Sequence, residues 1–286
     1  ILKILMKLWK IFMNILITGH RGFIGKNLWL YFKSKGHNVQ GWEWGDTVEF
    51  LLPPDLDLVI HCGAISSTTE YNAEKLMEKN YEFTTDLIVQ CLEHNVDLQY
   101  ASSASVYGDG KTFRETDDCR PMNGYAWSKY LIDRFVLEAI SMPLPINIQG
   151  FRYFNVYGPW ESQKGNQASP ISKFNTEALT DESIKLFNDS ENYLRDFICV
   201  DDVCKVHEQM IDADVSGIFN VGTGHAVSFQ AIGEAIAKKH NVNINYIPMP
   251  GSLKGSYQEF TQANIEKLSK YVNINFIKVE DYIDNV

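Results

Sequence analysis

What the sequence has little of narrows the field first. Across 286 residues, 26 Lys and Arg face 36 Asp and Glu, a formal charge of −10 with no long basic run. That removes the electrostatic footprint that nucleic acid or an anionic membrane surface needs, so neither is an expected partner. The five cysteines, Cys62, Cys91, Cys119, Cys199 and Cys204, contain no Cys-x-x-Cys pair. This argues against zinc, leaves no metal expected, and fits reduced thiols in a cytoplasmic compartment rather than a disulfide scaffold. Long apolar runs are scarce as well, and a membrane span needs about 20 apolar residues. Neither an internal repeat nor a low-complexity linker is visible. What the chain does have is core material, 45% hydrophobic residues, enough for one or two packed domains.

The start of the chain departs from this picture. Lys3, Lys7 and Lys10 fall three and four apart and would line one face of an otherwise apolar helix, the pattern of an interfacial anchor. A signal peptide fits less well, because the lysines interrupt the apolar stretch and no small-residue cleavage site follows. The favoured reading is that the domain begins at Met13, with residues 1–12 an N-terminal extension.

From Asn14 onward, apolar strand-like runs alternate with amphipathic stretches. Strands are predicted at 14–18, 38–42, 57–61, 98–102, 146–151 and 217–221, and helices at about 22–35, 74–93, 125–140 and 203–210. Such alternation predicts an α/β fold, a Rossmann-type doubly wound parallel sheet. A smaller, discontinuous α/β substrate-binding domain accompanies it. The expected division is a dinucleotide-binding domain over 13–158, with parts of 199–225, and a substrate-binding region over 159–198 and 226–286. Residues 159–198 read as polar and irregular.

Three glycines, Gly19, Gly22 and Gly25, follow the first strand at G-x-x-G-x-x-G spacing and open a helix. A dinucleotide pyrophosphate needs this set: one glycine for the tight turn, one for backbone approach to phosphate, one for packing of helix on sheet. At the end of the second strand, Glu43 offers a carboxylate to the adenosine ribose and would repel a 2′-phosphate. Tyr125 and Lys129 stand at i and i+4, on one helix face. A phenol is a poor base at neutral pH, and a neighbouring ammonium favours its phenolate. Ser103, in Ser102-Ser103-Ala104-Ser105 at a strand end, offers a hydroxyl to a substrate oxygen during proton transfer.

In this order, the glycine triplet, the serine segment and Tyr-x-x-x-Lys resemble the extended short-chain dehydrogenase/reductase family of nucleotide-sugar epimerases and dehydratases. The likeness runs from Met13 nearly to the end. Longer strings, Gly150 to Pro159, Lys185 to Phe197, Ser216 to Gly224, Leu253 to Thr261 and His61 to Glu70, resemble its ADP-glycero-manno-heptose 6-epimerase branch. The resemblance implies Tyr125 and Lys164 as acid/base groups on opposite faces of the sugar carbon, assisted by Ser103. It implies an ADP-sugar held by Asn155, Asn166, Phe187, Ser190, Arg195 and Tyr257. It implies a tightly held NADP or NAD touching Phe23, Ile24, Glu43, Trp44, Cys62, Gly63, Ala64, Ile65, Ser66, Asn80, Lys129 and Val156, and a homo-oligomer. The reaction expected is hydride removal from the sugar, a transient ketone, reorientation, and hydride return to the other face.

The chain also departs from that pattern. Glu43-Trp44 replaces the usual Asp-Asn pair, no basic residue follows as expected for NADP, and Lys173 stands in place of His. The choice between NADP and NAD stays open. The runner-up activity is a UDP-sugar 4-epimerase, and a non-catalytic dinucleotide-binding protein is the alternative from another class.

Overall fold

The computed structural model describes residues 12–47, 49–251 and 258–285. Two compact units divide them. The first takes the described residues up to Val106, with Pro121–Arg152 and Cys204–Phe219; the second takes Tyr107–Arg120, Tyr153–Val203 and the described residues from Asn220 on.

The first unit is built on β1 (Asn14–Thr18), α1 (Phe23–Ser34), β2 (Asn38–Trp42) and β3 (Leu58–His61). Then comes α2, made of Ala73–Leu76, a π-helical turn Met77–Glu82 and Phe83–His94, followed by β4 (Asp97–Ser103), α3 (Gly124–Ala139) and β5 (Ile148–Tyr153). These strands enter a parallel six-stranded sheet in the order β2-β1-β3-β4-β5-β9, where β9 is Gly217–Val221. Register is fixed by pairs such as Thr18 with Trp42 and Thr18 with His61.

Side-chain alternation explains the layers. Ile15 and Ile17 pack with Leu28 and Phe32 of α1, together with Leu58 and Ile60. Leu16, on the opposite face, packs with Val59, Leu87, Ile88, Ile132 and Val136 from α2 and α3. A strand buried on both faces needs a near-continuous apolar run, which is what β1 and β3 carry. The order reverses between β1 and β3, so their carboxyl ends open a crevice of the kind where α/β sheets bind ligands.

The second unit contains β6 (Asn155–Tyr157), α4 (Pro170–Thr180), β7 (Ser183–Phe187) and β8 (Leu194–Cys199). β10 (Ala226–Ser228), α6 (Phe229–His240), β11 (Asn243–Ile247), β12 (Phe260–Thr261) and α7 (Val279–Asn285) follow; α5 (Val200–Ile211) starts in this unit and from Cys204 on belongs to the first. β8 pairs with β10, β12 and β6, and β7 pairs with β11. Its core joins Ile184, Leu186, Phe197, Val227, Ile232 and Ile236.

Two sequence expectations change here. Residues 159–198 are not irregular, since they hold α4, β7 and β8. Ser169 caps α4 by accepting the Ser172 N–H, with Pro170 in the first turn, a start signal that the polar composition hid. The compact units also differ in part from the expected 13–158 with parts of 199–225: Cys204–Phe219 does join the first unit, whereas Tyr107–Arg120 and residues 153–158 fall in the second. Tyr107–Arg120 belongs to the second unit because Asn220 binds it three ways: Tyr107 Oη donates to Asn220 Oδ1 at 2.7 Å, Asn220 Nδ2 donates to the Phe113 carbonyl at 2.6 Å, and Asn220 N–H reaches Glu115 at 2.8 Å.

Beneath β4 and β5, a polar group is buried in full. His207 Nδ1 donates to Gln99 Oε1 at 2.8 Å, and Gln99 Nε2 returns a bond to the His207 carbonyl at 3.1 Å. Burial lowers the His207 pKa to about 3. The unfolded chain therefore takes up this proton below about pH 6.5, while the folded chain does not until about pH 3. Stability is full above the upper value and falls as pH drops through the window, by at most about 1.4 kcal/mol per pH unit for one proton. Urea midpoints between pH 7 and pH 4 should fall less steeply in His207→Gln than in the parent. Equal slopes would contradict this reading.

Candidate active site

The glycine loop is set by backbone contacts that exclude any side chain. Gly19 has φ of 71°, and its N–H donates to the Trp42 carbonyl at 2.9 Å. A Cβ there would lie 2.5 Å from Gly63 N, and a Cβ on Gly25 would collide with the Gly19 oxygen. Gly22 occupies the N-cap of α1 without a side-chain cap, and no acid stands in the first turn. The helix therefore presents its first-turn N–H groups and the positive end of its dipole, the elementary requirements of a phosphate cradle. These features fit a dinucleotide pyrophosphate. Phe23 is buried and Ile24 half-buried beside them.

Beyond β2, the Glu43 carboxylate accepts the Arg21 N–H. The Arg21 guanidinium turns instead to Asp46 at 3.0 Å, and Asp46 also accepts the Glu43 N–H at 2.9 Å. Trp44 is 39% exposed, with its ring against Trp42 at 5.6 Å and Phe83 at 4.9 Å. Lys79 Nζ stands 5.0 Å from the Trp44 ring centroid. Sequence reading missed that cation because it arrives from α2, far along the chain.

The loop Cys62, Gly63, Ala64, Ile65, Ser66 leaves β3 beside Gly19. Cys62 N–H bonds the Thr18 carbonyl at 3.1 Å, and burial raises the Cys62 thiol pKa to about 12, so it is an inert thiol here. Asn80 is fully buried and grips the loop: its Oδ1 accepts the Ile65 N–H at 2.8 Å, and its Nδ2 donates to the Ile65 carbonyl at 3.0 Å and to Ser128 Oγ at 2.9 Å. Its polar atoms thus hold protein backbone. The π-helical turn that carries Asn80 is a distortion that spacing alone did not announce.

At the end of β4, Ser103 Oγ accepts from the Ser105 hydroxyl at 2.9 Å, and the Ser103 side chain acts on the Tyr125 phenol, pulling its pKa down. Tyr125 stands in the first turn of α3, whose N-cap Asn123 accepts the Ala126 N–H at 2.9 Å. One turn on, Lys129 is 3% exposed, and its Nζ donates to the Ala101 carbonyl at 2.8 Å. Burial lowers the Lys129 pKa to about 8, against the opposing pull of Cys62 and Asp133. Burial also raises the Tyr125 pKa, which the Ser103 bond offsets and the Asp133 charge reinforces. The sequence expectation of a phenol lowered by its lysine neighbour is therefore modified: desolvation outweighs the i, i+4 pairing, and the group lowering Tyr125 is Ser103.

In the second unit, Lys164 sits in a 3₁₀ segment, Glu161–Gln167, broken at Gly165 by φ of 53°. It is half-buried rather than the solvated surface lysine its loop composition suggests. Burial lowers its pKa, opposed by the nearby Glu161 carboxylate. Glu161 in turn binds the Ser169 N–H and hydroxyl. Arg195 is buried, with Nη1 on the Leu194 carbonyl at 2.8 Å, Nη2 on the Gln258 carbonyl at 2.6 Å, and the guanidinium 5.3 Å from the Phe229 ring. Its neighbour Asp196 binds Thr223, Gly224 and Ala263 N–H groups and so ties β8 to two loops. Asn155 Nδ2 donates to the Asp196 carbonyl at 3.3 Å, and Val156 pairs with Ile198. Phe187 ends β7, and Ser190 Oγ is buried without a partner among the described residues. Tyr257 and the side chain of Asn166 lie outside the described residues. Among those described, no three His, Cys, Asp or Glu converge as a metal would need, and no helix is long and apolar enough to cross a membrane.

Known structures resemble this fold. The Helicobacter pylori ADP-L-glycero-D-manno-heptose-6-epimerase is 29% identical, with TM-score 0.83 over 96% of this chain and 95% of that one. A UDP-N-acetylglucosamine 4-epimerase from Methanobrevibacter ruminantium is 22% identical with TM-score 0.81, over 96% and 95% of the two chains. The UDP-glucose 4-epimerase of Thermus thermophilus, solved with NAD, is 22% identical with TM-score 0.78, over 95% and 97%. At that identity the latter two speak for the fold alone. The profile of the NAD dependent epimerase/dehydratase family matches residues 15–222, which include the glycine loop and the Ser103, Tyr125 and Lys129 group, and the chain belongs to that family.

Proposed function

We propose that the protein is a nucleotide-sugar epimerase using NAD, with ADP-glycero-manno-heptose epimerised at C6 as its substrate. The observation that carries the catalytic part is the grouping of Ser103 at the end of β4 with Tyr125 and the buried Lys129 one turn apart on α3, in the same unit as the glycine cradle. Likeness to the heptose epimerase at 29% identity carries the choice of sugar.

In this reading, Gly19, Gly22 and Gly25, with Phe23 and Ile24, hold the pyrophosphate. Glu43 takes the adenosine ribose, Trp44 the adenine, and the Cys62 to Ser66 loop, Lys129 and Val156 the remainder. Bound nicotinamide supplies a hydride acceptor that becomes the donor on return. Tyr125 moves the proton of the reacting sugar hydroxyl, and Ser103, its oxygen already accepting from Ser105, donates to the phenolate as charge develops. Lys129 stays cationic below about pH 8 and stabilises that phenolate. Lys164, with its pKa lowered by burial, serves as the second acid/base group that an inversion requires. Arg195 supplies a planar fork for the diphosphate, with Asn155, Asn166, Phe187, Ser190 and Tyr257 around the sugar nucleotide.

In this reading NAD is preferred over NADP because Glu43 brings a carboxylate to the ribose while Asp46 pairs with Arg21, the nearby cation. Like charge against a 2′-phosphate is unfavourable. Glu43→Ala should shift the ratio of dissociation constants toward NADP by more than about twofold, a change well below the ~1.4 kcal/mol of a tenfold effect. An unmoved ratio would remove Glu43 from the ribose.

The activity itself is tested by incubating the protein with ADP- and UDP-sugars and following ring-proton NMR. Interconversion of the two ADP-heptose C6 epimers is expected, with Tyr125→Phe slower by ~100-fold or more, the scale of a lost general acid/base. Conversion of UDP-sugars at C4 alone would replace the heptose assignment, and a Phe variant as fast as the parent would remove Tyr125 from the chemistry.

A further inference from the structure

His61 closes β3 at the mouth of the crevice, yet it enters no step above. It is 1% exposed, between Thr18 and Thr84, both fully buried. Thr18 Oγ1 lies 2.6 Å from His61 Nδ1, and Thr84 Oγ1 lies 2.8 Å from His61 Nε2. The direction of this chain follows from its ends. The Thr84 hydroxyl donates to the Asn80 carbonyl, so its oxygen must accept from His61, which puts the ring proton on Nε2. Nδ1 is then bare and accepts from the Thr18 hydroxyl. Thr18 Oγ1 in turn accepts the Gly63 N–H at 3.2 Å.

The result is a one-way relay from Gly63 N–H through Thr18, His61 and Thr84 to the Asn80 carbonyl. Its two ends hold the same loop: Gly63 at one end, and at the other Asn80, which clamps Ile65 through both amide atoms. Asn80 also bonds Ser128, and Ser128 Oγ donates to the Tyr125 carbonyl at 2.8 Å. Phe83, 5.6 Å from the His61 ring and stacked on Trp42 at 5.0 Å, walls the imidazole in.

We propose that His61 is a positioning residue that sets the Cys62 to Ser66 loop for the dinucleotide, as a neutral Nε2–H imidazole held between Thr18 and Thr84. This rests on the dinucleotide reading above and names a residue which that reading leaves without a role. Protonation would give both ring nitrogens a hydrogen, so the Thr18 hydroxyl could no longer donate to Nδ1 and would have to turn its own proton elsewhere. Burial and the neighbouring Lys129 charge oppose it, lowering the His61 pKa to about 3. The ring therefore stays a fixed donor and acceptor across the working pH range.

The experiment compares His61→Gln, His61→Leu and Thr84→Val with the parent by NAD titration, thermal midpoint, and the pH profile of turnover at saturating NAD. Gln offers one donor and one acceptor as the neutral ring does; Leu offers neither. Thr84→Val keeps the shape of a residue that bonds His61 and Asn80 but not Gly63, and serves if the Leu variant does not fold. NAD dissociation constants should rise at least tenfold in His61→Leu and Thr84→Val and by less in His61→Gln, with the pH profile unmoved. Imidazole ¹⁵N shifts of the parent should report the Nε2–H tautomer without titration between pH 5 and pH 8. Lower thermal midpoints with unchanged NAD affinity would show a merely structural role and overturn the proposal, as would an Nδ1–H tautomer. If the parent binds no NAD, the dinucleotide reading falls first; if it binds and the folded variants bind equally, only the inference about His61 falls.

Discussion

The closeness of two backbones, Gly19 after β1 and Gly63 after β3, is the constraint on which the first unit's site depends. No side chain fits between them, and the sheet order reverses at that point. With no Cβ intervening, the N-terminus of α1 can face the strand ends directly, and a chain of hydrogen bonds can run from Gly63 into the helices behind. A methyl group there would push the two loops apart and displace every group anchored to them, including Asn80 and, through Ser128, the first turn of α3.

Behind this surface the unit buries a set of polar groups, several of which have partners that fix their state. His61 and His207 are kept neutral, Lys129 is desolvated against a carbonyl, and the Arg152 Nε donates to Asp133 at 2.8 Å while Tyr100 donates to the same carboxylate at 2.9 Å. Buried charge without compensation would be prohibitive, whereas paired and hydrogen-bonded it specifies one arrangement of β4, β5 and α3. Removing a single partner is accordingly more damaging than replacing both. In the second unit Asp196 plays the corresponding part, accepting backbone hydrogen bonds from loops distant in sequence and so placing Arg195 on β8.

Much of the first unit was legible in the chain. Strands with both faces buried write themselves as apolar runs, and β1, β2 and β9 fall at the predicted residues. Gly19 and Gly25 are readable because a close approach admits no other residue, Gly22 because it completes their spacing, and Tyr125 with Lys129 because helical spacing is local. Less was legible where the cause lies elsewhere in the fold. The helix α4 hid in a polar stretch because its buried face is narrow, holding Ile171 and Ala178. The approach of Lys79 to Trp44 and the relay through His61 join residues separated by intervening elements. Tyr125 is a similar case: spacing shows its lysine and not the desolvation that raises the phenol pKa.

Amide hydrogen exchange, read residue by residue with and without NAD, tests the central claim most directly, because it locates the ligand rather than its chemistry. The account predicts slowed exchange at the amides of Gly22 to Gly25 and across Cys62 to Ser66, together with little change on the outer face of α1. Protection that appears elsewhere while both of these loops exchange as before would contradict the dinucleotide cradle on which the account is built.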